Sequence, residues 1–202
     1  AVIEEGRNVF ITGSAGTGKT FFLKTLCQIS KKNLAVVAPT GVAALNAQGR
    51  TIHSFFNFPT RPLLPREQFF KFNINEKTIN LFKKLELLII DEISMVRCDH
   101  FVNIDRMLKY YRKSDQAFGG VQVVVIGDPF QIPPVVGQND YSLLRDHYKG
   151  RFFFSNDSFA LAKFKTYELK IVRRQNDLEF INLLNRVRLD QLNEDDLEWF
   201  RN

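Results

Sequence analysis

The sequence predicts an α/β fold in three layers, a parallel central sheet between helices, with one small insertion. Three observations carry this expectation. A short continuous apolar run, Leu34–Ala38, and the largely apolar stretches Leu85–Ile90 and Val121–Ile126 read as strands buried on both faces, as parallel strands are. A strand, Asn8–Thr12, runs straight into Gly13-Ser14-Ala15-Gly16-Thr17-Gly18-Lys19-Thr20, and a helical pattern leaves it. That octet fits G-x-x-x-x-G-K-[ST], the phosphate-binding P-loop, in its proper strand–loop–helix context. Finally, polar residues follow these stretches within two positions (Thr40, Asp91 and Asp128), at the carboxyl edge where α/β sheets bind ligands.

Each element follows in order. Residues 7–12 make the first strand and 18–30 the first helix. Between them the glycines let backbone N–H groups curl round phosphates, and the helix N-terminus adds its positive dipole end. Lys19 would reach the β- and γ-phosphates and the Thr20 hydroxyl would ligate Mg²⁺, so ATP and Mg²⁺ are the expected cofactors. The second strand, 34–38, ends in Pro39-Thr40-Gly41, and a short helix follows over 42–46. Gly49 to Phe56 comes next. Residues 57–84 then change character: Pro59, Pro62 and Pro65 break regular structure, and Arg61, Arg66, Lys71, Lys77, Lys83 and Lys84 interleave with Phe69, Phe70 and Phe72. This is read as an insertion on the core, not a separate domain. It suits a nucleic-acid single strand, by phosphate contact and stacking, as well as it suits a solvated insertion with its own apolar cluster.

Leu85 to Ile90 is the third strand, ending in Asp91-Glu92. A helix spans 98–112, with Phe101, Ile104, Leu108 and Tyr111 on one core-facing stripe. Phe118-Gly119-Gly120 turns the chain into a fourth strand, Val121–Ile126, which ends in Gly127-Asp128. Pro129 to Pro134 can be neither helix nor central strand. Residues 140–165 read as helix and turn, with Phe152-Phe153-Phe154 packed inward. Tyr167 to Val172 reads as a fifth strand, followed by Arg173-Arg174-Gln175. Asn176 or Asp177 caps a helix to about Arg188, and Asn193 with Asp196 forms a capping pair for a short last helix.

Composition sets the bounds. The chain has 202 residues, 45% of them hydrophobic, enough for one substantial core. No apolar run approaches a membrane span and no signal peptide opens the chain, so no membrane partner is expected. Ala1 is not an initiator Met and a strand begins by Val9, which suggests a piece of a longer protein. Two cysteines, Cys27 and Cys98, form neither a disulfide framework nor a zinc site and fit a reducing compartment. The net charge of +6 is compatible with nucleic acid but does not by itself require it. Most of the twenty Phe residues belong in the core.

The catalytic candidates stand at strand ends. Asp91 would enter the Mg²⁺ shell, and Glu92, one residue on, would orient and polarise the attacking water as general base. Gln131 would hydrogen-bond the γ-phosphate or that water, on a segment stiffened by prolines. Arg174, taken as the end of the fifth strand, would stabilise charge developing on the γ-phosphate, with alternation aiming Arg173 elsewhere. A Glu directly after the Mg²⁺ aspartate suits the RecA-like branch of P-loop NTPases.

GSAGTGKT, APTGVAA at 38–44, TIHSFF at 51–56, IIDEISMV at 89–96, GDPFQIPPV at 127–135 and VRRQND at 172–177 occur in order. Together they resemble the first RecA-like domain of a Pif-one-type superfamily-one DNA helicase, over nearly the whole chain. The stretch from Glu92 to Asp128, with Asp99, Asp105 and Phe118-Gly119-Gly120, resembles that family's own signature region. RecD-like helicases share some of the motifs. The resemblance implies a 5′-to-3′ translocase that couples ATP hydrolysis to separation of duplex or fork DNA, in replication, repair, recombination or telomere maintenance. It makes Thr40, Gly41, Thr51, His53 and Ser54 the single-stranded-DNA-facing residues, and sets the insertion near the strand-separation wedge. It also implies a second RecA-like domain that supplies another catalytic arginine. Nothing after Arg188 matches such a domain, so the chain is expected to bind nucleotide, hydrolyse it feebly and unwind nothing alone. The expected location is cytoplasmic (nucleoid) for a bacterial source and nuclear or mitochondrial for a eukaryotic one. A nucleotide-switch ATPase with no nucleic-acid track, a non-catalytic interaction domain and an RNA helicase are the rival readings.

Overall fold

The computed structural model describes residue 3 and residues 5–174 and 177–199. Among these, six strands form one sheet: β1 (Val9–Thr12), β2 (Leu34–Ala38), β3 (Arg50–Thr51), β4 (Leu87–Ile90), β5 (Gln122–Ile126) and β6 (Lys165–Glu168). Their order is β3-β2-β4-β5-β1-β6 and every pairing is parallel. The helices are α1 (Lys19–Ile29), α2 (Gly41–Asn46), α3 (Ile52–Phe56), α4 (Glu76–Lys84), α5 (Cys98–Arg112), α6 (Gln138–His147), α7 (Asp157–Leu161), α8 (Leu178–Arg188) and α9 (Glu194–Trp199).

Strand alternation divides the core in two. Val9, Ile11, Val36, Leu87, Ile89, Val124 and Ile126 face one way, onto Leu23 and Leu26 of α1. Phe10, Val37, Leu88, Ile90, Val123 and Val125 face the other way, onto α3, α4 and α5. Both faces being covered, the four inner strands β1, β2, β4 and β5 are predominantly apolar, and the α/β three-layer expectation holds. The second face is aromatic: Phe101 of α5 packs against Phe118, Phe153, Phe159 and Phe164, and Phe56 stacks between Phe58 and Phe82.

Four sequence expectations change. A two-residue strand, β3, extends the sheet beside β2, too short to show as a periodic run. The last strand is Lys165–Glu168, not 167–172; it pairs with β1 alone and carries exposed Lys165, Thr166 and Glu168, so it lacks an apolar signature. Phe153 is buried, but Phe154 is exposed and Phe152 only half-buried. The segment 57–84 holds a regular helix, α4, capped by Asn75, which accepts from Thr78 N at 2.8 Å. Phe58, Leu63, Phe69, Phe72 and Phe82 belong to the same buried cluster as the sheet face, so Phe69 and Phe72 are core and not a stacking platform. The side chains of Phe70 and Lys71 lie outside what is described.

Two devices bind this segment to the rest. Arg112, in the last turn of α5, donates to the carbonyls of Phe82, Lys83 and Leu85 at 2.8–2.9 Å and of Gly119 at 2.7 Å. It thereby satisfies carbonyls at the C-terminus of α4. At the other end, Asp99 accepts the Leu63 N–H at 2.9 Å. Near the C-terminus, Asn193 and Asp196 exchange backbone-to-side-chain bonds at 3.1 and 2.8 Å, the reciprocal cap read from the sequence. Asp177 caps α8 through Glu179 N and Phe180 N, both at 3.0 Å, and Asn176, its alternative, lies outside the described residues.

Candidate functional site

Because every strand points the same way, their carboxyl ends share one edge. Across it stand Thr51 after β3, Thr40 after β2, Asp91 and Glu92 after β4, Asp128 after β5, Gly13 after β1 and Leu169 after β6. Neighbouring strands lie about 4.8 Å apart. The threonines therefore occupy one half of the edge and the P-loop the other, with the two acids between.

The P-loop is built by close approach. A Cβ on Gly13 would strike the Leu169 carbonyl, and one on Gly16 would lie 2.8 Å from the Arg174 Cβ. Arg173 N donates to the Gly16 carbonyl at 2.8 Å, so segment 169–174 rests on the loop. This corrects the reading of Arg174. It follows β6 by six residues, in a loop, so strand alternation does not choose between it and Arg173. What separates them is that Arg173 is tied to Gly16 by its backbone, while the exposed Arg174 side chain leaves from beside it. Gln175 lies outside the described residues.

Within the loop, Thr17 Oγ1 donates to the Ser14 carbonyl at 2.9 Å. Lys19 Nζ donates to the Gly13 and Ser14 carbonyls at 2.8 and 3.0 Å. Burial lowers the Lys19 pKa, and the charges of Asp128, Glu92 and Asp91 oppose that shift. Ala15 is exposed on the loop, Gly18 caps α1, and Thr20 is exposed in the first helical turn. The loop therefore presents a partly desolvated ammonium and a helix N-terminus to the same space, the arrangement that binds phosphates.

Asp91 is 8% exposed, and burial, with Glu92 nearby, pushes its carboxyl up to about 6. A threonine hydroxyl on α1 and a desolvated carboxylate on the adjacent part of the edge are hard oxygen donors. They fit Mg²⁺ held with nucleotide phosphates, and such a cation would relieve the burial of Asp91. Glu92 has φ 49°, a left-handed conformation that a glutamate adopts at a cost of about 1–3 kcal/mol. That turn swings the chain from β4 into the helical turn Ile93–Met95, and Gly127 abuts Ile93 N there.

Asp128, fully buried, is a hub that sequence reading passed over. It accepts from Gln131 Nε2 at 3.1 Å and Phe130 N at 3.2 Å. It also accepts the fork of Arg188: Nε at 2.7 Å and Nη2 at 2.9 Å. Gln131 is thus held to Asp128, at the carboxyl end of β5. Arg188 was missed because nothing local marks it. It is an ordinary basic residue in the last turn of α8, and its partner lies 60 residues earlier.

On the other half, Thr40 Oγ1 accepts from Ala43 N at 3.2 Å and Thr51 Oγ1 from Ser54 N at 3.1 Å, capping α2 and α3. Each hydroxyl keeps its own O–H to donate. Gly41 is exposed with open space about it. Ser54 is engaged by Arg50, whose Nη2 reaches the Ser54 carbonyl at 2.7 Å and Oγ at 2.9 Å. Arg50 was not among the expected residues, and it brings a guanidinium to this end. His53 meets His100 edge-on, ring centres 4.7 Å apart. Burial pushes His100 down to about 4, and burial with Arg97 lowers His53, so both shifts favour the neutral ring.

A family model described as PIF1-like helicase matches residues 1–198. The ATP-dependent DNA helicase PIF1 of Emericella nidulans is 35% identical over 209 aligned residues, covering 100% of this chain and 27% of the relative. A solved structure of Pif1 helicase from Bacteroides in complex with ADP-AlF3 and single-stranded DNA is 47% identical, with TM-score 0.89, over 96% of this chain and 45% of that one. Another, concerning DNA unwinding at forked double-stranded DNA by two coordinating Pif1 helicases, is 47% identical with TM-score 0.93, over 98% and 48%. This chain spans roughly a quarter of the curated relatives' length, 27% and 28% in two of them. With its P-loop, its acid pair and its RecA-like parallel sheet, the chain belongs to the PIF1-like helicase family.

Proposed function

We propose that this chain is the N-terminal motor part of an ATP-dependent 5′-to-3′ DNA helicase. The observation that carries the proposal is the convergence of Lys19, Asp91, Glu92 and Asp128 at the carboxyl ends of the neighbouring strands β1, β5 and β4, where the three acids act on the Lys19 charge. Gly13 to Thr20 would cradle the phosphates, and Thr20 and Asp91 would hold Mg²⁺. Glu92 would polarise the attacking water, Gln131 would contact the γ-phosphate, and Arg174 would stabilise the transferring phosphoryl group. The reaction is ATP + H₂O → ADP + phosphate.

Thr40, Gly41, Thr51, His53 and Ser54, with Arg50, would hold single-stranded DNA by its backbone, which needs no sequence reading. Small hydroxyls, backbone N–H groups and one guanidinium are chemically suited to that. The bound ADP-AlF3 and single-stranded DNA of the Bacteroides relative support nucleotide and DNA as the two ligands. A second RecA-like domain in the same longer protein would close over the ATP and supply another arginine, so the chain alone would not unwind duplex or fork DNA. The work would be replication, repair, recombination or telomere maintenance, in the nucleoid of a bacterium or the nucleus or mitochondrion of a eukaryote.

The test is ATPase rate against single-stranded DNA concentration, on the full-length protein, with Lys19→Ala as control. A large DNA-dependent rise that the substitution abolishes supports the motor. A DNA-independent rate returns the site to a nucleotide switch and removes Thr40, Gly41, Thr51, His53 and Ser54 from their proposed roles.

A further inference from the structure

Four donors converge on the Asp128 carboxylate. Two belong to the Arg188 fork, one to the Phe130 backbone and one to the Gln131 side chain. The Arg188 guanidinium also lies over the Phe130 ring, 4.7 Å from its centre. One arginine from the end of α8 therefore grips both the acid and the first aromatic of the segment 128–131. Arg188 is 16% exposed and Asp128 not at all, so the acid is shielded from water while the guanidinium keeps one exposed side, and the geometry is bidentate, the arrangement in which an arginine is least replaceable.

We propose that Arg188 is a positioning residue for ATP hydrolysis, fixing Asp128 and through it the Gln131 amide, and that α8 is thereby tied to the occupancy of the nucleotide site. The inference rests on the reading of Gln131 as the γ-phosphate contact. Its physical basis is the shared acceptor. Without Arg188, Asp128 loses two charge-assisted donors, and the Gln131 amide loses the fixed position of its acceptor. Both changes act on turnover, whereas the P-loop backbone that grips the nucleotide is untouched.

The experiment uses the full-length protein with single-stranded DNA at saturation, and reads steady-state ATPase together with binding of a fluorescent mant-ADP. The variants are Arg188→Ala, Arg188→Lys, and Asp128→Asn with Arg188→Ala. Arg186→Ala is the control, since Arg186 forms the other forked arginine pair of α8, to Asp196, away from Gln131. The expected result for Arg188→Ala is a fall in kcat of about tenfold or more with mant-ADP affinity within about threefold of wild type. Arg188→Lys recovers part of the loss by restoring the charge without the fork. The double variant falls no further than Arg188→Ala, because the two residues act as a unit.

A kcat for Arg188→Ala within about twofold of wild type overturns the inference. So does an equal loss in Arg186→Ala, which would mean that any loosening of α8 suffices, and so does loss of mant-ADP binding along with turnover. A wild-type protein without ATPase overturns the proposed function and this inference with it; a wild-type ATPase indifferent to Arg188 overturns this inference alone.

Discussion

Asp99 and Asp128 are both fully buried and both are held by an arginine fork, yet they do different things. The partner of Asp99 is Arg97, two residues away, at 2.9 and 2.6 Å. Its remaining bond goes to the Leu63 backbone, and it ties the 57–84 segment to the start of α5. Burial works to raise the Asp99 pKa, but the Arg97 hydrogen bonds and charge hold it below the usual carboxylate range. Asp128 instead takes its fork from 60 residues away and gives its remaining acceptor capacity to a side chain at the nucleotide edge. An ion pair closed within one turn serves the fold. One closed between two distant elements, with a polar side chain as third member, links those elements and can carry a signal.

The largest effect expected from this contrast is on stability. Asp99→Ala leaves the buried Arg97 with only the half-exposed Asp140, at 4.0 Å, and strands the Leu63 N–H, and the expected loss is about 3–5 kcal/mol in urea unfolding. A loss under about 1 kcal/mol would make the Asp99 pair as dispensable as a surface ion pair. Next to it, His100 gives the same region a pH dependence. Its folded pKa, about 4, lies below its ordinary 6.5, so the folded state binds fewer protons than the unfolded. Its stabilising share is whole above about pH 6.5 and is lost as pH falls toward 4, on the order of 3 kcal/mol in total. The lowered His53 adds in the same sense. Asp91, raised to about 6, acts in the opposite sense over the same range, so the test is a difference: from pH 7 to pH 4 wild type should lose stability relative to His100→Phe.

Asp128→Asn sharpens the comparison from the other side. Arg188 keeps some access to water and its stacking on Phe130, so the expected stability loss is only about 1–2 kcal/mol. Turnover, by contrast, should drop about tenfold or more. A stability loss as large as that of Asp99→Ala would erase the distinction between staple and link. Smallest are the two caps. Thr40→Ala and Thr51→Ala each should cost about 1 kcal/mol by thermal unfolding, with serine at either position restoring it. If these hydroxyls also donate to DNA phosphates, alanine weakens single-strand binding in fluorescence anisotropy and serine does not.

The legible parts of the molecule are those governed by local chemistry. β2 and α5 fall where their periodicity places them, because an apolar run of five residues and a stripe of fifteen can each be buried in one way. The P-loop is legible because its glycines answer to backbone approach, which the octet itself encodes. The illegible parts are set by distant partners. β3 exists because Arg50 and Thr51 pair with Val37 and Ala38, and two residues have no period of their own. β6 is an edge strand of polar character, and its true end moves Arg174 into a loop. Phe69 and Phe72 are interleaved with basic residues in sequence, yet the 3₁₀ turn 69–72 directs both into the core. Arg188 could not be singled out, since the acid that defines it lies after β5.

The placement of aromatic rings has an optical consequence. The chain has twenty Phe residues and a single Trp. The Phe rings fill the sheet face, whereas Trp199 sits on α9, 53% exposed, with its ring 5.7 Å from that of Phe180 on α8. The indole emission of this chain therefore reports on the α8–α9 pair and is blind to most of the core. Loosening of the helix that carries Arg188 and unfolding of the backbone as a whole can thus be followed at different wavelengths in one sample, indole fluorescence for the first and far-ultraviolet dichroism for the second. A chain in which α8 and the sheet move as one body would give coincident curves, and one in which α8 yields first would show the emission change ahead of the dichroism.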